Sequence, residues 1–363
     1  MVTERRPGGR RLTLAALAAI ALASLGAMQH SAPSPAATGI DGPGDDTFPP
    51  AGTISIAGGA AWSKSTSVTI STSAVDYISG VALVSLSNDG TTWTERPYAA
   101  TQSWTLSAGD GTKTVWAKWR DGAGNWSSAK SDTIGLDTVA PVYGYALPMT
   151  IGKAGTALAN GAMPIRFGSI WNESGSGLVR YHASKSIDDG DFTSISTTLS
   201  SNIVKVNVLP GHHYFFAMRA VDRAGNVSLW ERYVAQASLT AIQQSSSRAV
   251  YRGPWTTSTS TTWWGGSAKG STTAGATASL TFTGRQVAWI ALKAPNRGKA
   301  QVYIDGVLRG TVDLYAPSLL KQRVAWRSSW GPSSPTNTHT IRIKVLGTVG
   351  RPKVDIDGFI VAL

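Results

Sequence analysis

The sequence predicts an all-β protein of three successive sandwich modules behind an N-terminal leader. Three observations carry this. Beyond the leader no stretch keeps a helical period with caps, while runs that alternate apolar and polar residues recur along the chain. Two internal segments repeat the same markers in the same order. From residue 245 a second texture, rich in Thr, Ser, Gly and Trp, opens another series of β-like runs. A length of 363 residues suits two or three domains. A hydrophobic content of 42% supports packed cores. The absence of cysteine excludes disulfides, Cys-ligated metal, a cysteine nucleophile and a lipoprotein anchor.

The leader comes first. Arg5, Arg6, Arg10 and Arg11 precede an apolar run from Leu12 to Met28. A basic start and a short apolar run rich in Ala and Leu describe an export signal, with small-residue cleavage sites near Ala27, Ala32 or Ala37. Pro, Ser and Asp follow, rather than basic stop-transfer residues, so no stable span is expected once the leader is removed. Residues 1–37 are read as the signal segment and the start of a tether, and 38–46 as a flexible linker.

The repeat occupies 47–138 and 139–244. Asp121-Gly-Ala-Gly-Asn125 recurs as Asp222-Arg-Ala-Gly-Asn226, and Ser79-Gly80-Val81 as Ser176-Gly177-Leu178. Asp46-Thr-Phe-Pro-Pro50 recurs as Asp137-Thr-Val-Ala-Pro141. A unit of about 90 to 100 residues is the size of an immunoglobulin-like sandwich. In KTVWAKWRD, Val115, Ala117 and Trp119 share one face, and Trp116, Lys118 and Arg120 the other. In HYFFAMRAVD, Tyr214, Phe216, Met218 and Ala220 form one face. Each of these strands runs into a D-x-A-G-N loop, whose Gly and Asn supply turn conformations.

Leu209-Pro210-Gly211 with Tyr214 and Ala220 resembles the signature of fibronectin type III domains. The resemblance implies that Tyr214 bonds back to the backbone as a tyrosine corner. The D-x-A-G-N turn with a preceding D-T-x-x-P linker resembles bacterial immunoglobulin-like repeats of exported, surface-associated proteins. Asp121 with Asn125, and the trio Asp188, Asp189 and Asp191, offer oxygen ligands. Neither set reproduces a twelve-residue calcium loop, so both are read as turns.

The third module spans 245–363, with β-like runs at 287–293, 300–315, 321–328, 338–347 and 353–363. Asp305-Gly306 is a two-residue hairpin signal. About eight strands without helices favour a jelly roll. The series F-T-G-x-x-V-x-W-I, G-K-A-x-V-Y-I-D-G, V-D-L-Y, H-T-I-R-I and V-D-I-D-G-F resembles a galactose-binding-like jelly roll. That family implies carbohydrate binding.

Sugar recognition uses a flat aromatic with a few polar groups. Trp263, Trp264 and Trp330 lie in loop sequence and are the glycan candidates, with Tyr315 after them. Trp289 and Trp326 lie in apolar strands and are read as core. Asp355 and Asp357 alternate along the last strand, either solvated or holding a structural cation.

The net charge of +12 is uneven: residues 1–29 carry +3, residues 30–244 carry −2, and residues 245–363 carry +11. Lys293, Arg297 and Lys299 cluster in KAPNRGK, and Arg342 and Lys344 share one face of a strand. These five are the candidates for an anionic polymer. Nucleic acid, which would want base-stacking aromatics on a basic groove, is not expected of an exported chain.

No nucleophile elbow, zinc-protease motif, P-loop or dinucleotide fingerprint is present, and residues 245–363 contain no Glu. The sequence therefore predicts an exported, non-catalytic binding protein without a cofactor. Its two sandwiches serve as a spacer, and its C-terminal module binds polysaccharide or an anionic cell-wall polymer. A structural or adhesive surface protein and an accessory part of a polysaccharide-degrading enzyme are the alternatives.

Overall fold

The computed structural model describes residues 46–328 and 337–363. The export signal, its cleavage sites, most of the linker and Trp330 lie outside the described residues. Apart from two short 3-10 turns, Ala57–Gly59 and Trp264–Gly266, the described elements are strands, so the protein is all-β. No helix among the described residues is long and apolar enough to cross a membrane.

In the first module a three-stranded sheet faces a five-stranded one. The small sheet holds Ala51–Ile56, Ser67–Val75 and Thr101–Thr105. The larger sheet is ordered Trp62–Ser63, Lys130–Leu136, Gly111–Asp121, Val81–Ser87, Thr94–Pro97. Val115, Ala117 and Trp119 are each 0% exposed between the layers, as the alternation of Gly111–Asp121 requires.

The second module pairs Ile203–Val208, Met163–Asn172 and Val142–Ile151 in one sheet. The opposite sheet begins with Thr193–Leu199, Leu178–Ile187, His213–Asp222 and Glu231–Gln243. Tyr214, Phe216, Met218 and Ala220 are buried together in its core. The Tyr214 hydroxyl accepts the Leu209 N–H at 3.0 Å, the corner that the fibronectin resemblance implies.

This second sheet does not stop at the module. Glu231–Gln243 pairs through its first half with His213–Asp222 and through its second half with Gly358–Ala362. Gln286–Lys293 and Leu320–Arg327 then complete seven strands. The loop 152–162 of the second module also bonds to the outermost strand: Gly155 N–H donates to the Val324 carbonyl at 2.8 Å, and Val324 N–H to that of Thr156 at 2.8 Å.

Gln286–Lys293 is therefore buried on both faces, which accounts for its continuous apolar run. Ala288 and Ile290 join the second module's core, while Val287, Trp289 and Ala291 join the third module's. The sequence treats the second module as a spacer separate from the third. The structure makes the two one body with a shared sheet.

The third module's other layers are a five-stranded sheet and a three-stranded one. The first is ordered Ala249–Arg252, Thr277–Gly284, Asn337–Val345, Lys299–Ile304, Val307–Asp313. The second holds Thr256–Thr259, Ser267–Ser271 and Val354–Ile356. Asp305 and Gly306 both have positive φ, 50° and 81°, as a two-residue hairpin turn needs.

Candidate polymer-binding surfaces

The third module uses its acids internally. Asp305 accepts the Thr340 N–H at 2.8 Å and faces His339 Nδ1 at 2.6 Å. Asp313 accepts both Nη atoms of Arg351. That hydrogen bonding is the main cause holding the Asp313 carboxyl below its ordinary range.

Asp355 and Asp357 are 1% and 0% exposed, so the expectation that they are solvated is corrected. Asp355 pairs with Arg297 Nε, and its Oδ1 has no hydrogen-bond partner among the described residues. Burial raises the Asp355 pKa against the attraction of Arg297. Asp357 accepts the Trp264 N–H with both oxygens, at 2.9 and 3.0 Å. Burial, with repulsion from Asp355, pushes the Asp357 carboxyl up to about 7 against that hydrogen bond.

Arg297 is likewise corrected. It reads as a surface cation in KAPNRGK but is 7% exposed, because Val354–Ile356 brings Asp355 beneath it. Lys299 is exposed and Lys293 half-buried at a strand end.

Arg342 and Lys344 fall on the solvent face of the five-stranded sheet, opposite Ile341, Ile343 and Val345, which are 0% exposed. The register shows what joins them. Lys344 lies opposite Thr277 and Gln301, and Thr277 lies opposite Arg252. Arg342 lies opposite Ser279 and Tyr303, with its guanidinium 4.5 Å from the Tyr303 ring centroid. Arg252, Arg342 and Lys344 make no ion pair among the described residues. The result is a face that carries the Thr277, Ser279 and Tyr303 hydroxyls, the Gln301 amide and positive charge unpaired among the described residues. Sequence reasoning missed Arg252 and Tyr303, because only strand register sets them beside Arg342 and Lys344.

The aromatic candidates separate. Trp263 is 7% exposed and packs with Ala268, Leu292 and Ala294, so it is not open to a ligand; this corrects its reading as a loop platform. Trp264 is half-buried and lines a cleft of about 440 Å³ with Leu158, Asn160, Gly161, Lys321 and Gln322. This cleft spans the second and third modules. Tyr315 is 48% exposed, with the Arg351 guanidinium 5.2 Å from its ring centroid. Trp289 is 0% exposed and Trp326 packs against the same core.

In the first two modules the acidic turns serve the backbone. Asp121 Oδ1 accepts the N–H groups of Gly124 and Asn125 at 2.6 and 2.8 Å, and Asp222 repeats this with Gly225 and Asn226 at 2.7 and 2.8 Å. Burial works to raise the Asp121 pKa, and hydrogen bonds from the Asn125 side chain and from these N–H groups outweigh it and lower it. Asp46, Asp76 and Asp121 converge with carboxylate oxygens within 4.8 Å, as do Asp137, Glu173 and Asp222. Backbone N–H groups and Ser79 already bond within these trios.

No family model matches the chain. Over 110 residues, 30% of the chain, it is 32% identical to the A type blood N-acetyl-alpha-D-galactosamine deacetylase of Flavonifractor plautii. The match spans 13% of that protein's length. Fibronectin(III)-like modules of Clostridium thermocellum CbhA are 15% identical and overlap 50% of this chain and 91% of theirs, with a TM-score of 0.32. An exo-beta-1,3-galactanase from Phanerochaete chrysosporium is 13% identical and overlaps 82% of this chain and 78% of its own, with a TM-score of 0.24.

Proposed function

We propose that the protein is an exported, non-catalytic binding protein for an acidic polysaccharide, held on the solvent face of the third module's five-stranded sheet. One observation carries this reading. Arg252, Arg342 and Lys344 stand on one face without ion pairs among the described residues, while each of the four acids of the module is bonded to another group. A repeating anion meets such a face along its length, and the Thr, Ser and Gln side chains between the cations supply hydrogen bonds to sugar hydroxyls. The short identity to a deacetylase named for a glycan supports a carbohydrate setting for part of the chain.

The Trp264 cleft favours a second contact of the same class. An aromatic ring, an amide and a lysine converge there, the combination that sugar sites use. The test is retention of the full chain on immobilised polygalacturonate and on neutral dextran, over a range of salt. Retention on polygalacturonate alone, weakening steeply as salt rises, is the expected result. Equal retention on dextran, or none on either matrix, contradicts the reading.

A further inference from the structure

The outer sheet faces of the first two modules carry the same device, and one copy is open. The registers align the copies. Ser85 opposes Lys118 and Ser87 opposes Trp116; in the second module His182 opposes Arg219 and Ser184 opposes Ala217. Arg219 thus takes the place of Lys118, and Ala217 that of Trp116. Trp93 and Phe192 each follow the turn after the neighbouring strand.

In the first module the face is filled. The Lys118 ammonium lies 4.4 Å from the Trp93 ring centroid and 4.7 Å from that of Trp126, and Trp116 lies against Gly90. In the second module Ala217 leaves the space that Trp116 takes. A cleft of about 230 Å³ opens there, lined by Ser184, Phe192, Ser194, Ala217, Trp230 and Arg232.

The walls of the cleft are held in place. The Arg219 guanidinium lies 4.7 Å from the Trp230 ring centroid, and its Nε donates to His182 Nδ1 at 2.9 Å. His182 must therefore be neutral at Nδ1, and burial followed by the charges of Arg219 and Arg180 lowers its pKa. The Arg232 guanidinium lies 5.4 Å from the Phe192 ring centroid. Next to it Tyr233 has φ of 63°, a left-handed conformation costly for a bulky residue, where the pairing with His213–Asp222 breaks register.

We propose that this cleft on the second module is a binding site for one acidic pyranose, such as a hexuronic acid residue of a polymer. The site stands apart from the third module's basic face. Its volume lies below the roughly 300–1,000 Å³ of drug-sized sites, so it suits one ring. Trp230 and Phe192 offer apolar ring faces, and the Ser184 and Ser194 hydroxyls offer hydrogen bonds. Arg180, Arg219 and Arg232 make this side of the module basic, and Arg232 is exposed and without an ion pair among the described residues. The acids nearest in sequence are Glu231, half-buried beside Arg232, and Asp188, Asp189 and Asp191, exposed in the turn before Phe192, of which Asp188 pairs with His212. A guanidinium at the rim of an aromatic slot selects a carboxylate.

The experiment titrates the full chain with methyl glucuronoside and methyl glucoside, read by tryptophan fluorescence and saturation-transfer NMR. Saturable binding of the glucuronoside, at least tenfold tighter than of the glucoside, is expected. Ala217→Trp, which restores the first module's residue, abolishes it, and Arg232→Glu weakens it at least tenfold. Arg342→Glu with Lys344→Glu leaves it unchanged, so failure of this site and failure of the basic face are told apart. Three outcomes overturn the proposal: no glucuronoside binding, equal binding of both glycosides, or binding that persists in Arg232→Glu. A dimer in sedimentation velocity that Ala217→Trp dissolves overturns it in favour of a second copy of the chain. Should Ala217→Trp fail to fold, the exposed Arg232→Glu decides.

Discussion

The side-chain amide of Asn226 donates to the backbone carbonyl of Asp137 at 2.8 Å, across 89 residues of chain. Asn125 does the same to Asp46 at 2.8 Å. The same Asn amide also donates to the carboxylate of the loop's own Asp, at 2.8 Å in each copy. The start of each module is thus tied to its D-x-A-G-N loop, and the sequence markers of the repeat are parts of one lock. At the junction of the first two modules, Asp137 bonds Ser176 of the second, and Thr138 bonds Asp110 of the first.

Asn226→Ala removes the lock and leaves buried acceptors without a donor. A loss of about 1–3 kcal/mol is expected. Urea unfolding followed by tryptophan fluorescence measures it, and Asn125→Ala gives a loss of similar size in the first module. A change within error in both variants contradicts the role given to the amide.

The strands and the repeat were legible because each depends on residues near in sequence. Alternation placed Trp119 and Phe216 inside, and an unbroken apolar run marked Gln286–Lys293. What joins distant segments was not legible. Trp263 and Trp264 are neighbours in one Gly- and Thr-rich loop, yet one is enclosed and the other lines a cleft, and composition carries no signal for that choice. Arg297 has the sequence context of a surface loop, and its partner is 58 residues away. The continuation of the second module's sheet into the third depends on Gly358–Ala362 choosing the end of Glu231–Gln243, which no local pattern specifies. The basic face was half legible: Arg342 and Lys344 follow from alternation, and Arg252 needs register.

The buried pair Arg297–Asp355 gives a second prediction. Arg297→Ala leaves Asp355 enclosed without its cation, and a loss of about 3–5 kcal/mol is expected. The double variant Arg297→Met with Asp355→Leu recovers most of it. Thermal unfolding of both variants checks this, and an Arg297→Ala variant as stable as the parent contradicts it.

The Asp357 carboxyl, held up at about 7 by burial, gives a pH dependence. Its folded pKa lies above the ordinary 3.8, so the folded state keeps a proton that the unfolded chain releases. Its contribution is full below about pH 4 and lost as pH rises through about 7. Carboxyls held low act in the opposite sense: Asp313, lowered chiefly by Arg351, loses its contribution as pH falls. Comparison with Asp357→Asn isolates the Asp357 effect. The Tm of the parent minus that of the variant is expected to fall from pH 4 to about pH 7 and to level off above it. A difference that rises over this range contradicts the assignment.

The shared sheet predicts joint unfolding of the second and third modules. Ile290 is 0% exposed in the second module's core although it belongs to a strand of the third module's sequence. Ile290→Ala is expected to cost about 2–5 kcal/mol. In calorimetry it lowers one transition that carries both modules and leaves the first module's transition in place. Separate transitions for the second and third modules contradict a common body.

The central claim is that the third module's five-stranded sheet binds an acidic glycan. The direct measurement is the affinity of the full chain for polygalacturonate before and after Arg342→Glu with Lys344→Glu, with circular dichroism confirming the fold. Both side chains point to solvent from a strand whose opposite face forms the core, so the sandwich is expected to stay intact. The account predicts at least a tenfold loss of affinity and a weaker dependence of the remainder on salt. Unchanged affinity in the folded variant would contradict it.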